Sequence, residues 1–279
     1  KIGIAGFGLE GRALYEHFKA HAEIYVFDET DVARSGIEAV FHHGFSIPGD
    51  ISVLYKSPGI STRKIALGSP TTHITTLMDL VLSTVGERAV GVTGTKGKST
   101  VASLIHHIFE GAGRETAIFG NIGVADLSLL DKDGPDMTYI IELSSYQLEH
   151  VTHSPHVAVM TNLFQEHLAH HGSFEAYREA KLNIARFQKP GDVFVNGSGI
   201  AASFKGRLVV PDASTRFDTK LLGEHNQRNC ALARANRVFG SGKNHPYQKH
   251  GYGLKPQRRG VVFIQDRPLR AAGLSSAQN

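Results

Sequence analysis

The sequence has a single cysteine, no long apolar run and no repeated or low-complexity segment. One cysteine, Cys230, excludes an intramolecular disulfide, and its alanine-rich helical surroundings favour a small core residue over a nucleophile. No segment approaches the roughly 18 apolar residues of a membrane span, so we expect no membrane insertion. The chain enters a strand-like segment without a signal-peptide pattern, which together with the lone cysteine favours the cytoplasm.

The sequence also has little excess of one charge over the other, since the formal net charge is only +4. Lys and Arg are scattered rather than clustered, which argues against a nucleic-acid partner. Binding of anionic small molecules would explain the slight excess of basic residues equally well. With 279 residues, the chain is long enough for two domains with separate cores. We therefore expect a soluble, monomeric protein that acts on small molecules.

Strand-like and helix-like segments alternate along the chain, which predicts an α/β fold. Strands at "IGIAG", "IYVFD" and "ISVLYKS" surround a helix predicted from about Glu10 to Lys19. After a boundary near Gly86 the pattern restarts, with strands at "TAIFG", "MTYIIEL", "HVAVMTN" and "DVFVN". Helices are predicted over Phe174–Phe187 and in "EHNQRNCALARANRVF", and a last strand at "GVVFI". This predicts a second domain with a mostly parallel sheet.

A glycine-rich loop follows the first strand and opens a helix, with Gly6, Gly8 and Gly11 in G-x-G-x-x-G register and Asp28 ending the next strand. Such glycines allow a tight turn and bring a pyrophosphate close to a helix N-terminus. The pattern favours a Rossmann-like domain whose ligand is NAD or another nucleotide diphosphate. The alternative is a tight turn without a ligand.

The stretch "GVTGTKGKST" is the stronger signal, because it also lies between a strand and a helix. Backbone amides around Gly94 and Gly97 can surround phosphate oxygens, while Lys98 reaches the β- and γ-phosphates and Ser99 ligates Mg²⁺. The loop departs from strict Walker spacing, since Val92 stands where the first glycine is expected. A dehydrogenase would have no ligand for this P-loop, and a simple ATPase would have none for the first glycine loop. An ATP-driven ligase acting on a nucleotide-bearing substrate uses both.

Two side chains are predicted at the carboxyl edge of the second sheet. Glu142 ends the strand "MTYIIEL", where a carboxylate can hold the Mg²⁺ of ATP or else cap the following turn. His167 follows "HVAVMTN" and is expected near ATP and Mg²⁺. Although His170 and His171 lie close by, their spacing and the absence of a nearby cysteine argue against zinc.

Lys181 falls on the apolar stripe of its predicted helix. A lysine so placed either extends its ammonium to solvent or has a lowered pKa and special chemistry. Asn121, in "FGNIG", faces the substrate or caps a turn, and the residues alone leave both open.

The ordered segments "GVTGTKGKST", "GNIG", "ELSSYQLE", "TNLFQEHLAHHGSFEAYREAK" and "LLGEHNQRN" resemble the Mur ligase family, and "GFGLEGRAL" and "KSPGIS" resemble its uridine-nucleotide domain. The resemblance runs from residue 1 to about 240. It implies a UDP-substrate domain over 1–86, a central ATP-binding P-loop domain over 87–240, and the start or remnant of a C-terminal region over 241–279. Valine in place of the first Walker glycine is that family's form.

The resemblance implies a role for each matching position. Near the UDP-bearing substrate it places Gly8, Leu9, Glu10, Asp28, Glu29, Ser57, Pro58, Gly59, Asn121 and Ser144. Around ATP it places Gly94, Thr95, Lys96, Gly97, Lys98, Ser99, Thr100 and, near the adenine, Asn226. Mg²⁺ would be held with the help of Ser99, Glu142, His167 and a carbamylated Lys181. The catalytic residues would be Lys98, Glu142, His167 and Lys181.

The implied activity is an ADP-forming amide ligase that adds D-glutamate to UDP-N-acetylmuramoyl-L-alanine through an acyl phosphate, with ATP and Mg²⁺. Alternatives are a Mur-type ligase with another amino acid and a nucleotide-binding protein without turnover; an NAD-dependent oxidoreductase leaves Lys98, Glu142 and Lys181 without purpose. In "FIQDRPLRAAG" Asp266 matches the family's entry to its amino-acid-binding domain, but Arg267 and Pro268 replace its Ser and Lys. The amino acid is therefore the least determined part of the prediction.

Overall fold

The computed structural model describes residues 1–30, 36–120, 127, 136–201, 203–212, 214–217 and 223–235. These residues form two large sheets, in which every strand pair is parallel. The predicted mostly parallel α/β fold is thus confirmed. The predicted strand "GVVFI", the region 241–279 and Asn121 lie outside the described residues.

The first sheet has five strands, in the order β3-β2-β1-β5-β7. Its strands and the small parallel pair β4 and β6 are β1 (Ile2–Ala5), β2 (Ile24–Asp28), β3 (Val40–His43), β4 (Ser46–Ile47), β5 (Val53–Lys56), β6 (Ala66–Leu67) and β7 (His73–Thr75). Helix α1 (Leu9–Phe18) connects β1 to β2, and α2 (Leu77–Val85) follows β7. Short 3₁₀ turns span Thr62–Lys64 and Gly86–Arg88. The glycine loop that follows the central strand β1 thus lies at the carboxyl edge of the sheet.

The second sheet has six strands, in the order β13-β12-β11-β8-β10-β9. They are β8 (Ala89–Thr93), β9 (Thr116–Gly120), β10 (Thr138–Glu142), β11 (Val157–Met160), β12 (Val193–Asn196) and β13 (Arg207–Val209). The described helices after β8 are α3 (Lys98–Gly111), α4 (Ser145–Leu148), α5 (Leu168–His171), α6 (Phe174–Arg186) and α7 (Glu224–Ala235). Parallel strands end at one edge, so the segments after β8, β10 and β11 meet there.

The central strands of this sheet read as apolar runs because helices cover both of its faces. Every residue of β8, β10, β11 and β12 is buried. On one face, α3 contributes five buried residues at helical spacing, Val101, Ala102, Leu104, Ile105 and Phe109. Cys230 is buried in the same core, as expected. The core therefore fixes the strand ends from which the glycine loop and Glu142 start.

Polar contacts join the two sheets below their carboxyl edges. Lys56, which is completely buried at the end of β5, forms an ion pair with Glu149, with Nζ and Oε2 2.9 Å apart. Arg63 donates to the backbone oxygen of His171 at 2.8 Å, and Thr62 contacts the His150 ring at 2.8 Å. These contacts hold the loop after β5 against the segments that follow β10 and β11.

Helix boundaries follow the sequence closely, whereas some strands were missed. The helix predicted from about Glu10 to Lys19 is Leu9–Phe18, and the one predicted over Phe174–Phe187 is Phe174–Arg186. Five strands, β3, β4, β6, β7 and β13, were not predicted from the sequence. None of the helices among the described residues is long and apolar enough to cross a bilayer.

Candidate nucleotide-binding and catalytic site

The loop between β8 and α3 requires glycine at two positions. Gly94 has φ +144°, and a Cβ there would lie 1.9 Å from Thr161 Oγ1. Gly97 has φ +81°, in the left-handed region, and a Cβ there would lie 2.8 Å from Asn229 Oδ1. Any other residue at either position would move the loop. The glycines that the sequence singled out thus set the loop's path.

Asn162, which sequence reasoning missed, fastens this loop to the end of β11. Its backbone oxygen accepts from the Thr95 amide at 3.0 Å, and its side-chain Oδ1 accepts from the Lys96 amide at 2.9 Å. Its Nδ2 donates to the Lys96 carbonyl at 2.9 Å, and Thr161 Oγ1 donates to that same oxygen at 2.7 Å. The amides of Thr95 and Lys96 are therefore used within the protein, and phosphate contacts fall to the residues after them.

The N-terminus of α3 is open toward an anion. Gly97 precedes the helix without a side-chain cap, and no acidic residue lies in the first turn. The amides of Lys98, Ser99 and Thr100 thus begin a helix whose dipole favours negative charge. Lys98 Nζ turns back over the loop and donates to the carbonyls of Gly94 at 3.2 Å and Thr95 at 3.1 Å. The arrangement suits a polyphosphate, as the sequence predicts.

Lys181 lies on α6 with only 2% of its surface exposed, so its ammonium does not extend to solvent. Its Nζ donates to the Gly94 carbonyl at 2.8 Å and lies 4.9 Å from the centroid of the Tyr177 ring. Burial and then the charge of Lys98 lower the pKa of Lys181 to about 7, against smaller opposing effects of Glu166 and Glu142. A large share of this side chain is therefore a neutral amine near pH 7.

Glu142 ends β10 and is 1% exposed, close enough to Lys181 for its charge to act on that lysine's pKa. The turn that follows is capped by Ser144. The Ser144 hydroxyl accepts from the Gln147 amide at 3.2 Å, and the Ser144 amide donates to Gln147 Oε1 at 3.0 Å. The turn that Glu142 was alternatively predicted to cap thus has a capping box formed by Ser144 and Gln147.

His167 lies after β11 in a left-handed conformation, with φ 57°. Its Nδ1 is 2.8 Å from the hydroxyl of Tyr146, on α4. The other two histidines of the segment belong to a different group: ring nitrogens of His170 and His171 and a carboxylate oxygen of Glu149 lie within 4.8 Å of one another. Because the buried Lys56 ammonium already pairs with Glu149, this group is poorly suited to a cation.

In the first glycine loop, Gly6 has φ +87° and a Cβ on Gly11 would lie 2.2 Å from the Gly6 carbonyl. Asp28 braces this turn: its Oδ2 accepts from the Phe7 amide at 2.7 Å. Burial raises the pKa of Asp28, but hydrogen bonds from Phe7, Thr30 and neighbouring amides outweigh it and hold the pKa below its usual value. The carboxylate thus stabilises the shape of the loop.

Two glycines in the loops after β1 and β5 have open surroundings. A Cβ on Gly8 or on Gly59 would meet nothing within 4 Å. Leu9 is 87% exposed at the start of α1, whereas Glu10 accepts from Gln147 Nε2 at 2.8 Å across the two sheets. The backbone of the loops that follow β1 and β5 is therefore accessible at these two glycines.

Three further predicted residues lie in or next to these loops. Ser57 Oγ donates to the Gly6 carbonyl at 2.7 Å, with Pro58 next to it, and the exposed Glu29 pairs with Lys64 at 2.7 Å. The loop after β5 is thus tied to the first glycine loop.

Helix α7 begins beside the P-loop. Asn229, which limits the space at Gly97, donates through Nδ2 to Asn226 Oδ1 at 3.1 Å. Asn226 is therefore placed near the phosphate loop.

Comparisons with known proteins agree with the motifs. Residues 92–205 match the family described as the Mur ligase middle domain. The chain is 32% identical over 275 residues to the UDP-N-acetylmuramoyl-L-alanine--L-glutamate ligase of Micromonospora sp., an alignment that covers 84% of this chain and 60% of that protein. It is 30% identical over 260 residues to the UDP-N-acetylmuramoylalanine--D-glutamate ligase of Symbiobacterium thermophilum, covering 86% of this chain and 55% of that protein. The chain thus spans somewhat more than half the length of these relatives.

Among solved structures, the UDP-N-acetylmuramate:L-alanyl-gamma-D-glutamyl-meso-diaminopimelate ligase from Neisseria meningitides aligns with a TM-score of 0.49 and 17% identity, covering 86% of this chain and 93% of that one.

Proposed function

Since the chain belongs to the Mur ligase family, we propose that its protein is an ATP-dependent, ADP-forming ligase that adds D-glutamate to UDP-N-acetylmuramoyl-L-alanine. The observation that carries the proposal is the pair of glycine loops at the carboxyl edges of two parallel sheets, with the Lys56–Glu149 ion pair joining the end of β5 to the segment after β10. A single-nucleotide enzyme has no use for the second loop. We place the reaction in the cytoplasm, where ATP and nucleotide-linked precursors are available.

ATP is proposed to bind at the N-terminus of α3. The amides of Lys98, Ser99 and Thr100 would hold the phosphates inside the turn formed by Gly94, Thr95, Lys96 and Gly97. Lys98 Nζ would exchange its two carbonyl partners for phosphate oxygens, because it already lies over the loop. Asn226 would approach the adenine. The charge that develops on the transferred phosphoryl group is thereby offset by a lysine and by helix amides.

The residues around the loop also fit Mg²⁺, which prefers hard oxygen ligands. Ser99 offers a hydroxyl and Glu142 a buried carboxylate at the sheet edge, with His167 as a further ligand. When bound, the ion would neutralise phosphate charge and orient ATP.

Lys181 is proposed to be carbamylated. With its pKa lowered to about 7, the amine carries a free lone pair near neutral pH. That lone pair would attack the carbon of CO₂, forming an N–C bond and releasing one proton to solvent. The product is an anion in place of an ammonium, so the repulsion between Lys181 and Lys98 becomes attraction. A ¹³C NMR carbamate signal in ¹³C-bicarbonate, absent from Lys181→Met, would support this step; its absence from the parent protein would refute it.

The UDP moiety is proposed to bind at the first glycine loop. Gly8, Leu9, Glu10, Asp28, Glu29, Ser57, Pro58 and Gly59 would border it, and Asn121 and Ser144 would face the acyl end. The open surroundings of Gly8 and Gly59 support this placement, because a backbone without side chains lets a diphosphate approach. The substrate's carboxylate would then point toward the γ-phosphate of ATP.

The proposed reaction has two steps. A carboxylate oxygen of the substrate attacks the γ-phosphorus, the bond to the ADP oxygen breaks, and an acyl phosphate forms. The glutamate amine then attacks the acyl carbon, expels inorganic phosphate, and loses a proton as the amide forms. Both steps depend on positioning and charge, and no enzyme nucleophile takes part.

A second candidate amino acid is L-glutamate, because the relative from Micromonospora sp. is named for it. Phosphate release from Mg-ATP should be measured on the complete gene product with UDP-N-acetylmuramoyl-L-alanine and D-glutamate, L-glutamate, L-lysine or no amino acid. Release that requires the nucleotide substrate and prefers D-glutamate supports the proposal. Release with the nucleotide substrate and L-glutamate, but with no other amino acid, supports the second candidate. ATP binding without phosphate release supports a non-catalytic nucleotide-binding protein.

A further inference from the structure

Tyr146 links the two segments that carry Glu142 and His167. It lies in the first turn of α4, shortly after Glu142, and its hydroxyl is 2.8 Å from Nδ1 of His167, which follows β11. We propose that Tyr146 is a positioning residue that holds the His167 ring so that Nε2 is available to a divalent cation at the phosphate loop. This inference rests on the proposed function, since it presumes that a cation binds with the nucleotide.

His167 has little support from its own backbone. Among the non-glycine residues that the structure describes, it alone has a positive φ, 57°. It stands before α5, a helix of only four residues, and its side chain is exposed. A left-handed backbone at a non-glycine residue persists only where neighbouring groups fix it. The contact of its ring with Tyr146 is such a constraint.

Tyr146 is itself fixed on both sides. The capping box formed by Ser144 and Gln147 sets the turn from which it projects. Its ring packs against His170 at a centroid distance of 4.2 Å and stacks on His171 at 5.4 Å with an interplanar angle of 20°. The hydroxyl oxygen is thus held in place by packing of the ring.

A hydroxyl suits this role because it donates and accepts. It can donate to Nδ1 when Nε2 carries the proton and faces Glu166, whose Oε2 lies 3.6 Å away. It can accept from Nδ1–H when the lone pair of Nε2 binds a cation. The ring therefore keeps one orientation in both states. Since His167 also lies 5.9 Å from the ring of Tyr177, whose hydroxyl contacts Thr95 at 2.9 Å, this orientation is set beside the phosphate loop.

Mn²⁺ affinity in the presence of a non-hydrolysable ATP analogue tests the inference, with free Mn²⁺ followed by electron paramagnetic resonance. Tyr146→Phe keeps the ring that packs on His170 and His171 and removes only the hydroxyl. Tyr25→Phe is the matched control, because its hydroxyl donates to Glu23 on the exposed surface of the first sheet. We expect Tyr146→Phe to weaken Mn²⁺ binding about tenfold, as loss of an outer hydrogen-bond partner does at metal sites.

His167→Ala and the double variant separate the possible outcomes. The double variant should bind Mn²⁺ as His167→Ala does, because Tyr146 acts only through His167. Unchanged affinity in Tyr146→Phe, or a loss that adds to that of His167→Ala, would overturn the inference while the proposed cation site stands. If His167→Ala binds Mn²⁺ like the parent, the assignment of His167 to the cation fails, and the inference fails with it.

Discussion

Breaking the buried ion pair between the two sheets should be most costly when Glu149 is the residue changed. Lys56 is completely buried, and its ammonium contacts Glu149 Oε2 at 2.9 Å and the Ile60 carbonyl at 2.8 Å. In Glu149→Gln the amide oxygen can still accept a hydrogen bond, but the buried ammonium loses its directly paired counter-charge. Removing one partner of a buried pair costs about 3–5 kcal/mol. We expect about 3 kcal/mol, at the lower end, because that hydrogen bond is retained.

The reverse change should cost less. In Lys56→Met the Glu149 side chain, which is 19% exposed, keeps contact with water and with His170 Nε2 at 3.4 Å. Burial raises the pKa of Glu149, but the charge and the hydrogen bond of Lys56, together with His150 and His170, outweigh it and hold the pKa below its usual value. Without Lys56 this pKa should rise, so the carboxyl can take up a proton. We expect about 1–2 kcal/mol for Lys56→Met, and a similar value for the double variant, whose methionine fills the site of the lysine.

The assay is the free energy of unfolding from urea denaturation, followed by circular dichroism because the chain has no tryptophan. Lys19→Met serves as the control, since Lys19 forms an exposed pair with Glu16 that should contribute little. The reasoning would be refuted if Glu149→Gln stayed within 1 kcal/mol of the parent, or if Lys56→Met were the more destabilising change.

Three further predictions concern the phosphate loop. Gly94→Ala should abolish detectable ATP binding and destabilise the protein by about 2–3 kcal/mol, because the new Cβ would lie 1.9 Å from Thr161 Oγ1. ATP titration calorimetry measures the binding, and urea denaturation measures the stability. Normal ATP binding would contradict the loop geometry. Asn162→Ala should weaken ATP binding about fivefold, the effect of losing roughly 1 kcal/mol of loop hydrogen bonds. Unchanged calorimetric affinity would show that the loop keeps its shape without Asn162. Between the folded pKa of Lys181 near 7 and its unfolded value near 10.5, the unfolded chain binds more protons, so stability should rise with pH. The rise relative to Lys181→Met should reach about 1.4 kcal/mol per pH unit in CO₂-free buffer; parallel pH profiles for the two proteins would contradict the lowered pKa.

Local spacing explains why much of the site was predictable. Gly94, Gly97 and Lys98 are neighbours in the chain, and a loop between a strand and a helix has few solutions for such residues. Lys181 was identifiable because a lysine on the apolar stripe of a helix faces the protein interior. In these cases, residues that are close together in the sequence are enough to predict the position of the side chain or loop.

The remaining features depend on distant residues or on weak patterns. Asn162 pairs with Lys96 across 66 positions, and no local rule indicates that partnership. The strands Val40–His43 and Arg207–Val209 lie at sheet edges and contain no buried residue, so they lack the apolar signal of the central strands. Asn121 and the domain boundaries at 86 and 240 stay predictions.

The most direct test of the proposed ligase follows oxygen from the substrate carboxylate. UDP-N-acetylmuramoyl-L-alanine labelled with ¹⁸O in that carboxylate should be incubated with the complete gene product, Mg-ATP and glutamate, and the released phosphate analysed by mass spectrometry. An acyl-phosphate route predicts one ¹⁸O atom in each phosphate, since the attacking oxygen leaves with the phosphoryl group. Phosphate free of ¹⁸O, released while amide forms, would contradict attack of the carboxylate on ATP.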